Sequence, residues 1–528
     1  MLYLLPQAVD NSAQRSPEHP AVRFGGKALT YAELARRTAS LAGVLKDQGV
    51  TRGDRVGIFM NKSLESAVAL YGIMKAGAAY VPLDPFAPPA RLAYVIQDCG
   101  IRVLISKDEK LEAIQQILAS GAGLECVIGL QDGNEVPVRT ISWETVFAAP
   151  ELSDPYRGLT EQDLAYILYT SGSTGNPKGI MHTHRSGLSF ALWGAETYGL
   201  SAQDRLSNHA PLHFDLSTFD LFSSAAAGAT TVIIPEAVTK FPASLSKLMA
   251  DEKISVWYSV PFALIQLLQH GSLEKRDLSA LRWILFAGEV FPTKHLRQLL
   301  TALPGVRFSN LYGPTETNVC TYYHVASIPE ASDEPIPIGR PCENVEDLVV
   351  DLDDHPVAPG EVGELLIRGG VVMRGYWGQP EKTERGFFRR EVFPQVDDIF
   401  YRTGDLVQLM PDGNYKYLGR KDRQIKTRGY RVELDEIEVA LLQHACVEQA
   451  AVYPISDGQG SNLIHAAVIP RDGMELNPED LVGHLSGRLP AYAVPVRIEV
   501  LADFPRTSTG KIDRRELQSR AAQAAGIS

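Results

Sequence analysis

The sequence predicts a layered α/β fold carrying a small β-rich subdomain and followed by a compact α+β domain. Three observations lead there. Helix-like and strand-like segments alternate through the first two-thirds of the 528 residues, the pattern of sheets covered by helices. From about residue 345 to 417 short strand-like runs separated by turns replace that alternation. A dense charge run, Gly419-Arg420-Lys421-Asp422-Arg423, then precedes a fresh helix and strand pattern. A chain this long also exceeds one hydrophobic core, which stops growing near roughly 250–300 residues.

Each element has a local reason. Apolar residues recur at helical spacing over 32–45, behind Thr30 as a candidate N-cap. Residues 56–60 form a short apolar run, a helix is expected over 63–76, and 79–83 read as another strand. Residues 164–168 (Leu-Ala-Tyr-Ile-Leu) have the look of a buried strand. Strands at 364–368 and 415–418 flank turns at Pro359-Gly360 and Asp412-Gly413. Past the charge run, 433–444 and 478–489 read as helices, and 449–454 and 463–470 as strands.

Composition narrows the function classes. Sixty-three acidic against 51 basic residues give a net charge of −12, which disfavours a broad nucleic-acid surface. The five cysteines (Cys99, Cys126, Cys320, Cys342, Cys446) include no CxxC pair, which suits a reducing cytoplasm and argues against a zinc or disulfide scaffold. No basic signal-peptide start and no apolar run of about 18–20 residues is present, so neither export nor a membrane span is expected.

The segment richest in chemistry is Tyr169-Thr170-Ser171-Gly172-Ser173-Thr174-Gly175-Asn176-Pro177-Lys178-Gly179. Glycines let backbone N–H groups approach an anion, while hydroxyls and a lysine add donors and charge. A flexible Ser/Gly linker has a similar composition, but the preceding strand and the single lysine favour a polyphosphate site. Pro177 before Lys178 and Gly179 after it rule out the Walker A pattern.

This loop resembles the phosphate loop of the adenylate-forming enzymes: acyl-CoA synthetases, luciferases and the adenylation domains of nonribosomal peptide synthetases. Further family motifs follow in order along the chain. They include Leu29-Thr30-Tyr31-Ala32-Glu33-Leu34, Phe214-Asp215-Leu216-Ser217, Asn310-Leu311-Tyr312-Gly313-Pro314-Thr315-Glu316-Thr317, Tyr401-Arg402-Thr403-Gly404-Asp405-Leu406 and Thr509-Gly510-Lys511-Ile512-Asp513-Arg514. The resemblance implies a large N-terminal domain (1–419) of layered α/β sheets with a β-barrel-like subdomain. A hinge (420–424) centred on Asp422 and a small mobile α+β C-terminal domain (425–528) complete the expected arrangement.

What the resemblance implies for the site is specific. ATP and Mg²⁺ are the expected cofactors, with Lys511, Glu316 and Thr170 as catalytic residues and Glu316 on the metal. The nucleotide would be held by Thr170, Ser171, Gly172, Ser173, Thr174, Gly175 and Lys178, by Ala287, Gly288 and Glu289, and by Asn310, Leu311, Tyr312, Gly313 and Thr315. Asp405, Tyr417, Arg420, Lys426 and Lys511 would complete that set. Two departures from the peptide-synthetase pattern, Ser508-Thr509-Gly510 before Lys511 and Thr427 before Arg428-Gly429, remove no charged group.

Asp215 separates amino-acid activators from simple-acid ligases, because a carboxylate in an acyl pocket is costly unless it meets a substrate ammonium. A bland alternative is a cap on a helix beginning near Ser217. The aligned side-chain pocket is Leu216, Phe219, Tyr258, Leu285, Ala287, Leu311, Val319 and Cys320, bounded by Asp215 and Lys511. It is nearly all apolar and resembles that of free-standing proline activators. L-Proline is therefore the expected substrate, with another small apolar amino acid next. Only a short tail follows Lys511, so a separate phosphopantetheinylated carrier protein is the expected partner, with no nucleic acid and no membrane. An acyl-CoA or aryl-acid ligase, a luciferase-type oxidation and a non-catalytic scaffold are the competing readings.

Overall fold

The computed structural model describes residues 2–131, 133–134, 136–172, 174–330, 332–458, 460–506 and 511–524. Helix Tyr31–Asp47 begins where the sequence places it. Thr30 Oγ1 accepts from the Glu33 N–H at 3.2 Å while the Glu33 carboxylate accepts from the Thr30 N–H at 2.9 Å, a reciprocal cap. The helix packs beside Leu64–Lys75, and both contribute to one apolar cluster that also takes Val22 and Ile233 from one large sheet and Val56, Tyr80 and Ile105 from another. That shared core joins the two sheets.

The first large sheet has eight strands, with Leu164–Thr170, Ala79–Pro82 and Arg55–Phe59 at its parallel centre. The second has nine, and its parallel run includes Val256–Ser259, Trp283–Ala287 and Arg307–Tyr312. A five-stranded antiparallel sheet, built on Val362–Gly369 and Val396–Leu409, accounts for the change of pattern after residue 345. Strand Tyr415–Arg420 is its last member.

Beyond Asp422 the chain forms a hairpin, Gln424–Thr427 with Tyr430–Glu433, and a three-stranded sheet, Val447–Ser456, Asn462–Pro470 and Arg497–Val500. Alternating residues of that sheet serve two cores. Val452, Ala466 and Val468 pack under helices Leu434–Leu442 and Pro478–Ser486, whereas Tyr453, Ala467 and Ile469 pack under Arg514–Ala524. Helix Pro478–Ser486 stops short of the expected residue 489. Gly487 follows it, and Leu489 precedes Pro490, a position that disfavours helical backbone. Among the described residues no helix is long and apolar enough to cross a membrane.

Candidate active site

The phosphate loop is a hairpin connection. Strand Leu164–Thr170 pairs antiparallel with Lys178–Thr183, with Thr170 opposite Lys178. A strand thus follows the loop where a Walker A loop would open a helix, the outcome expected from Pro177. Gly172 is obligatory, since a Cβ there would stand 2.1 Å from the Asn176 carbonyl oxygen. Thr170 Oγ1 is buried with no hydrogen-bond partner. A buried, unsatisfied hydroxyl calls for an explanation, and a ligand oxygen supplies one.

Beside the loop lies a buried charge cluster. Glu316 is 0% exposed. Its Oε1 accepts from the Tyr376 hydroxyl at 2.8 Å and lies 3.3 Å from Lys178 Nζ, while its Oε2 accepts from Arg431 Nη1 at 2.6 Å. Burial alone would raise the Glu316 pKa, yet Arg431 and Lys178 together hold it well below the usual carboxylate range. Burial, reinforced by Arg431, brings Lys178 down to about 8, against the pull of Glu316. The ammonium also sits 4.9 Å from the Tyr376 ring centre.

Two cavities meet over Asp405, Arg420 and Lys426. One is lined by Tyr312, Tyr417, Asn310 and Glu289. Within it the Tyr312 hydroxyl donates to Asp405 Oδ2 at 2.5 Å and Arg420 Nη1 donates to Oδ1 at 2.9 Å. Arg420 also grips both oxygens of Asp422, at 2.7 and 2.6 Å, so one guanidinium ties the cavity wall to the start of the C-terminal region. An apolar wall of tyrosines with one charged edge suits a purine nucleoside.

The other cavity is lined by Asp215, Leu216, Tyr258, Ala287, Val319 and Asn318. Asp215 directly precedes the short helix Leu216–Thr218, where its side chain makes no N-cap hydrogen bond among the described residues. Burial raises its pKa above the ordinary aspartate value, only partly offset by Thr315 and Lys426. Desolvation likewise lowers the Lys426 ammonium, with Asp405 and Asp215 pulling it back up.

Most of the expected residues converge here. Thr170, Ser171, Ala287, Gly288, Gly313, Thr315, Asp405, Arg420 and Lys426 line the Asp215 cavity or its neighbour, as do Glu289, Asn310, Tyr312 and Tyr417. Leu311 lines the nucleoside side. Phe219, Leu285 and Cys320 are fully buried behind the wall, Phe219 edge-on to Tyr258. Thr174 is exposed. Gly175 packs against helix Leu434–Leu442, where a Cβ would stand 2.6 Å from Val439. Ser173, and Ser508-Thr509-Gly510, lie outside the described residues.

Lys511 is the departure. It is exposed and outside both cavities, and Lys426 stands at the shared wall. The C-terminal region presents the hairpin of Gln424–Thr427 and Tyr430–Glu433 to the cavities, whereas the Lys511 segment is tied to the rest of that region. An Arg506–Ile512 bridge, the Arg514–Glu438 ion pair at 3.0 Å and the packing of Arg514–Ala524 on Val447–Ser456 hold it there. Conversely, Arg431 stands in the site although the sequence did not single it out, and Tyr376, which lies in a family motif, joins it there without having been assigned a role. Arg431 lies 115 residues from Glu316, and its one local signal is Gly429, whose φ of +85° and approach to Val260 bring the hairpin against the core.

The family comparisons agree with this geometry. The AMP-binding enzyme profile matches residues 9–377 and the AMP-binding enzyme C-terminal domain profile residues 436–511. The chain belongs to the AMP-binding enzyme family, and is thus an AMP-forming ligase that uses ATP. It is 37% identical over 514 residues to an L-proline--[L-prolyl-carrier protein] ligase of Pseudomonas fluorescens, covering 97% of this chain and 98% of that one. A protein of the same name from Streptomyces coelicolor is 37% identical over 520 residues, covering 96% and 94%. The adenylation domain AlmE of Vibrio cholerae, solved with glycyl-adenosine-5'-phosphate, matches with a TM-score of 0.84 at 25% identity, over 99% of this chain and 98% of that one.

Proposed function

We propose that the chain activates L-proline as prolyl-AMP and transfers the prolyl group to the phosphopantetheine thiol of a separate carrier protein. The observation that carries this reading is Asp215: a half-buried carboxylate, raised in pKa, that lines a cavity beside Leu216, Tyr258, Ala287 and Val319. A substrate ammonium would restore its charge balance, and aryl or fatty acids have none. Leu216, Ala287 and Val319 beside Asp215 favour a small apolar side chain. Relatives named for the same activity support the choice of proline.

In the first step a carboxylate oxygen of proline attacks the α-phosphorus of ATP, and the bond to the pyrophosphate oxygen breaks. Thr170, Ser171 and Lys178 hold phosphate oxygens, Asp405 accepts from the ribose hydroxyls, and Asp215 fixes the nitrogen end. Glu316 would hold Mg²⁺: it is kept ionised and already takes positive partners on both oxygens, and hard cations favour such oxygen donors. The metal would neutralise phosphate charge. In the second step the thiol sulfur attacks the acyl carbon, the bond to the AMP oxygen breaks, and the thiol proton passes to solvent. A third cavity, lined by Leu83, Arg428, Tyr430 and Pro490, shares His213 and Tyr492 with the Asp215 cavity and gives the thiol a route.

The division into a core (1–419), a hinge at Asp422 (420–424) and a lid (425–528) belongs to this proposal. Rotation about Asp422 would withdraw the hairpin and bring Lys511 to the acid for the first step. ATP–pyrophosphate exchange across an amino-acid panel tests the reading. Proline should give the highest rate, and transfer to a carrier protein should follow. Exchange with no amino acid would contradict it, and a preference for valine would move the substrate to the next small apolar choice.

A further inference from the structure

Asn318 lines the Asp215 cavity, is 4% exposed, and has no part in the steps described above. Its backbone is left-handed, with φ of +55°, a conformation that asparagine tolerates better than most residues. Gly313 packs on its carbonyl oxygen so closely that a Cβ would not fit. The residue is thus held at one place in the cavity wall.

A neighbouring threonine orients its side chain. Thr218 Oγ1 donates to the Asp215 carbonyl oxygen at 2.6 Å, and a hydroxyl has one proton to give. The Asn318 group 3.1 Å from that Oγ1 is therefore the donor, Nδ2. This leaves Oδ1 on the other side of the carboxamide, where it accepts no hydrogen bond among the described residues. The Tyr166 hydroxyl beside Asn318 is buried without a partner as well. An unused acceptor in a cavity wall points to a donor on the ligand.

A protonated secondary amine carries two N–H bonds that diverge tetrahedrally. A carboxylate in line with the first leaves the second to another acceptor, and leaving it unpaired is costly away from water. Leu216, Ala287 and Val319 have no side-chain acceptor, and the Thr315 hydroxyl already serves Asp215. We propose that Asn318 is a specificity-determining residue whose Oδ1 accepts the second N–H of the substrate ammonium, while Asp215 accepts the first. The proposal rests on the functional reading above, that the substrate is an amino acid, and not on proline being the preferred one.

The test crosses a change in the protein with a change in the substrate. Pyrophosphate exchange is measured with L-proline and with cyclopentanecarboxylate, which has carbon in place of the nitrogen, for the unsubstituted chain and three variants. Asn318→Gly keeps the left-handed backbone and removes the carboxamide. Asn318→Asp keeps an acceptor, and Thr218→Val removes the tether while leaving Oδ1 in place. The proline-to-cyclopentanecarboxylate ratio of kcat/KM should fall about tenfold in Asn318→Gly, with the loss in the KM for proline and not in that for ATP. It should stay within about threefold in Asn318→Asp and Thr218→Val, and calorimetric affinity for proline should follow the same order. An Asn318→Gly protein that keeps the ratio would overturn the proposal, because a merely structural role lowers both substrates alike. A fall in Thr218→Val or Asn318→Asp as large as in Asn318→Gly would overturn it too, since the oxygen would then not set the preference. If another amino acid is preferred, it and its nitrogen-free analogue replace this pair. If the unsubstituted chain exchanges with no amino acid, the functional reading fails and this proposal with it; if it exchanges and Asn318→Gly leaves the ratio unmoved, only the role of Asn318 fails.

Discussion

Asp215, half-buried against its cavity, and Glu316, fully buried, are carboxylates 101 residues apart in sequence and on opposite flanks of one site, and their surroundings push them in opposite directions. Glu316 has two cations and a phenol in contact, and stays ionised far below the usual range. Asp215 has burial as its main influence, and its pKa rises. The phosphate side is electrostatically complete while the lid sits on it, and the acyl side is incomplete until a cation enters. A carboxylate whose burial outweighs its partners has room for a cation, whereas one with a cation on each oxygen is already balanced.

The largest test of that contrast removes Glu316. Glu316→Ala strands Arg431 and Lys178, and loss of one partner of a buried pair costs about 3–5 kcal/mol. Urea unfolding should show that loss, and pyrophosphate exchange should fall at least a hundredfold. Unchanged stability would mean the cluster is better solvated than its burial indicates. The stability that Glu316 gives is present above the ordinary carboxylate pKa and is lost as pH falls through its depressed value.

Gly429→Ala comes next. A Cβ at φ +85° would stand 2.5 Å from Val260 Cγ1, so the hairpin must retreat from the core. Carrier loading should fall at least tenfold more than exchange, since only the present lid orientation needs that approach. Equal effects on both rates would separate Gly429 from the lid contact.

Asp215 should behave oppositely to Glu316 in stability. A carboxyl whose folded pKa is raised opposes folding above its unfolded pKa, and the penalty disappears as pH falls through the folded value. Asp215→Asn should therefore be more stable at neutral pH, with no gain in acid. Thermal unfolding across pH checks this. Tyr376→Phe loses less than Glu316→Ala: it keeps the ring under Lys178 but removes the 2.8 Å hydrogen bond to Glu316. A bond to a charged group is worth about 1.5–3 kcal/mol, so chemical denaturation should show a loss in that range.

The two flanks were not equally legible in sequence. Asp215, Asp405 and the Thr170–Lys178 loop lie inside contiguous motifs, where local residue types state the chemistry, and the structure brings them to one pair of cavities. The N-cap at Thr30 was legible for the same reason, although its reciprocal partner Glu33 was not. Arg431 was not, because its function depends on where a lid stands relative to a residue 115 positions away. Lys511 shows the converse: its motif is plain, yet this lid orientation leaves it at the surface. Phe219, Leu285 and Cys320 align with pocket positions but pack behind the wall, since linear motifs do not distinguish a lining layer from the layer supporting it.

The most direct measurement compares L-proline with cyclopentanecarboxylate, the same ring and carboxylate without the nitrogen, as substrates for exchange by the unsubstituted chain and by Asp215→Ala. If the buried carboxylate exists to meet an ammonium, the unsubstituted chain should favour proline by at least about a hundredfold, the scale set by leaving a buried charge unpaired, and the variant should lose that preference. An Asp215→Ala protein that still prefers proline by the same factor would contradict the account.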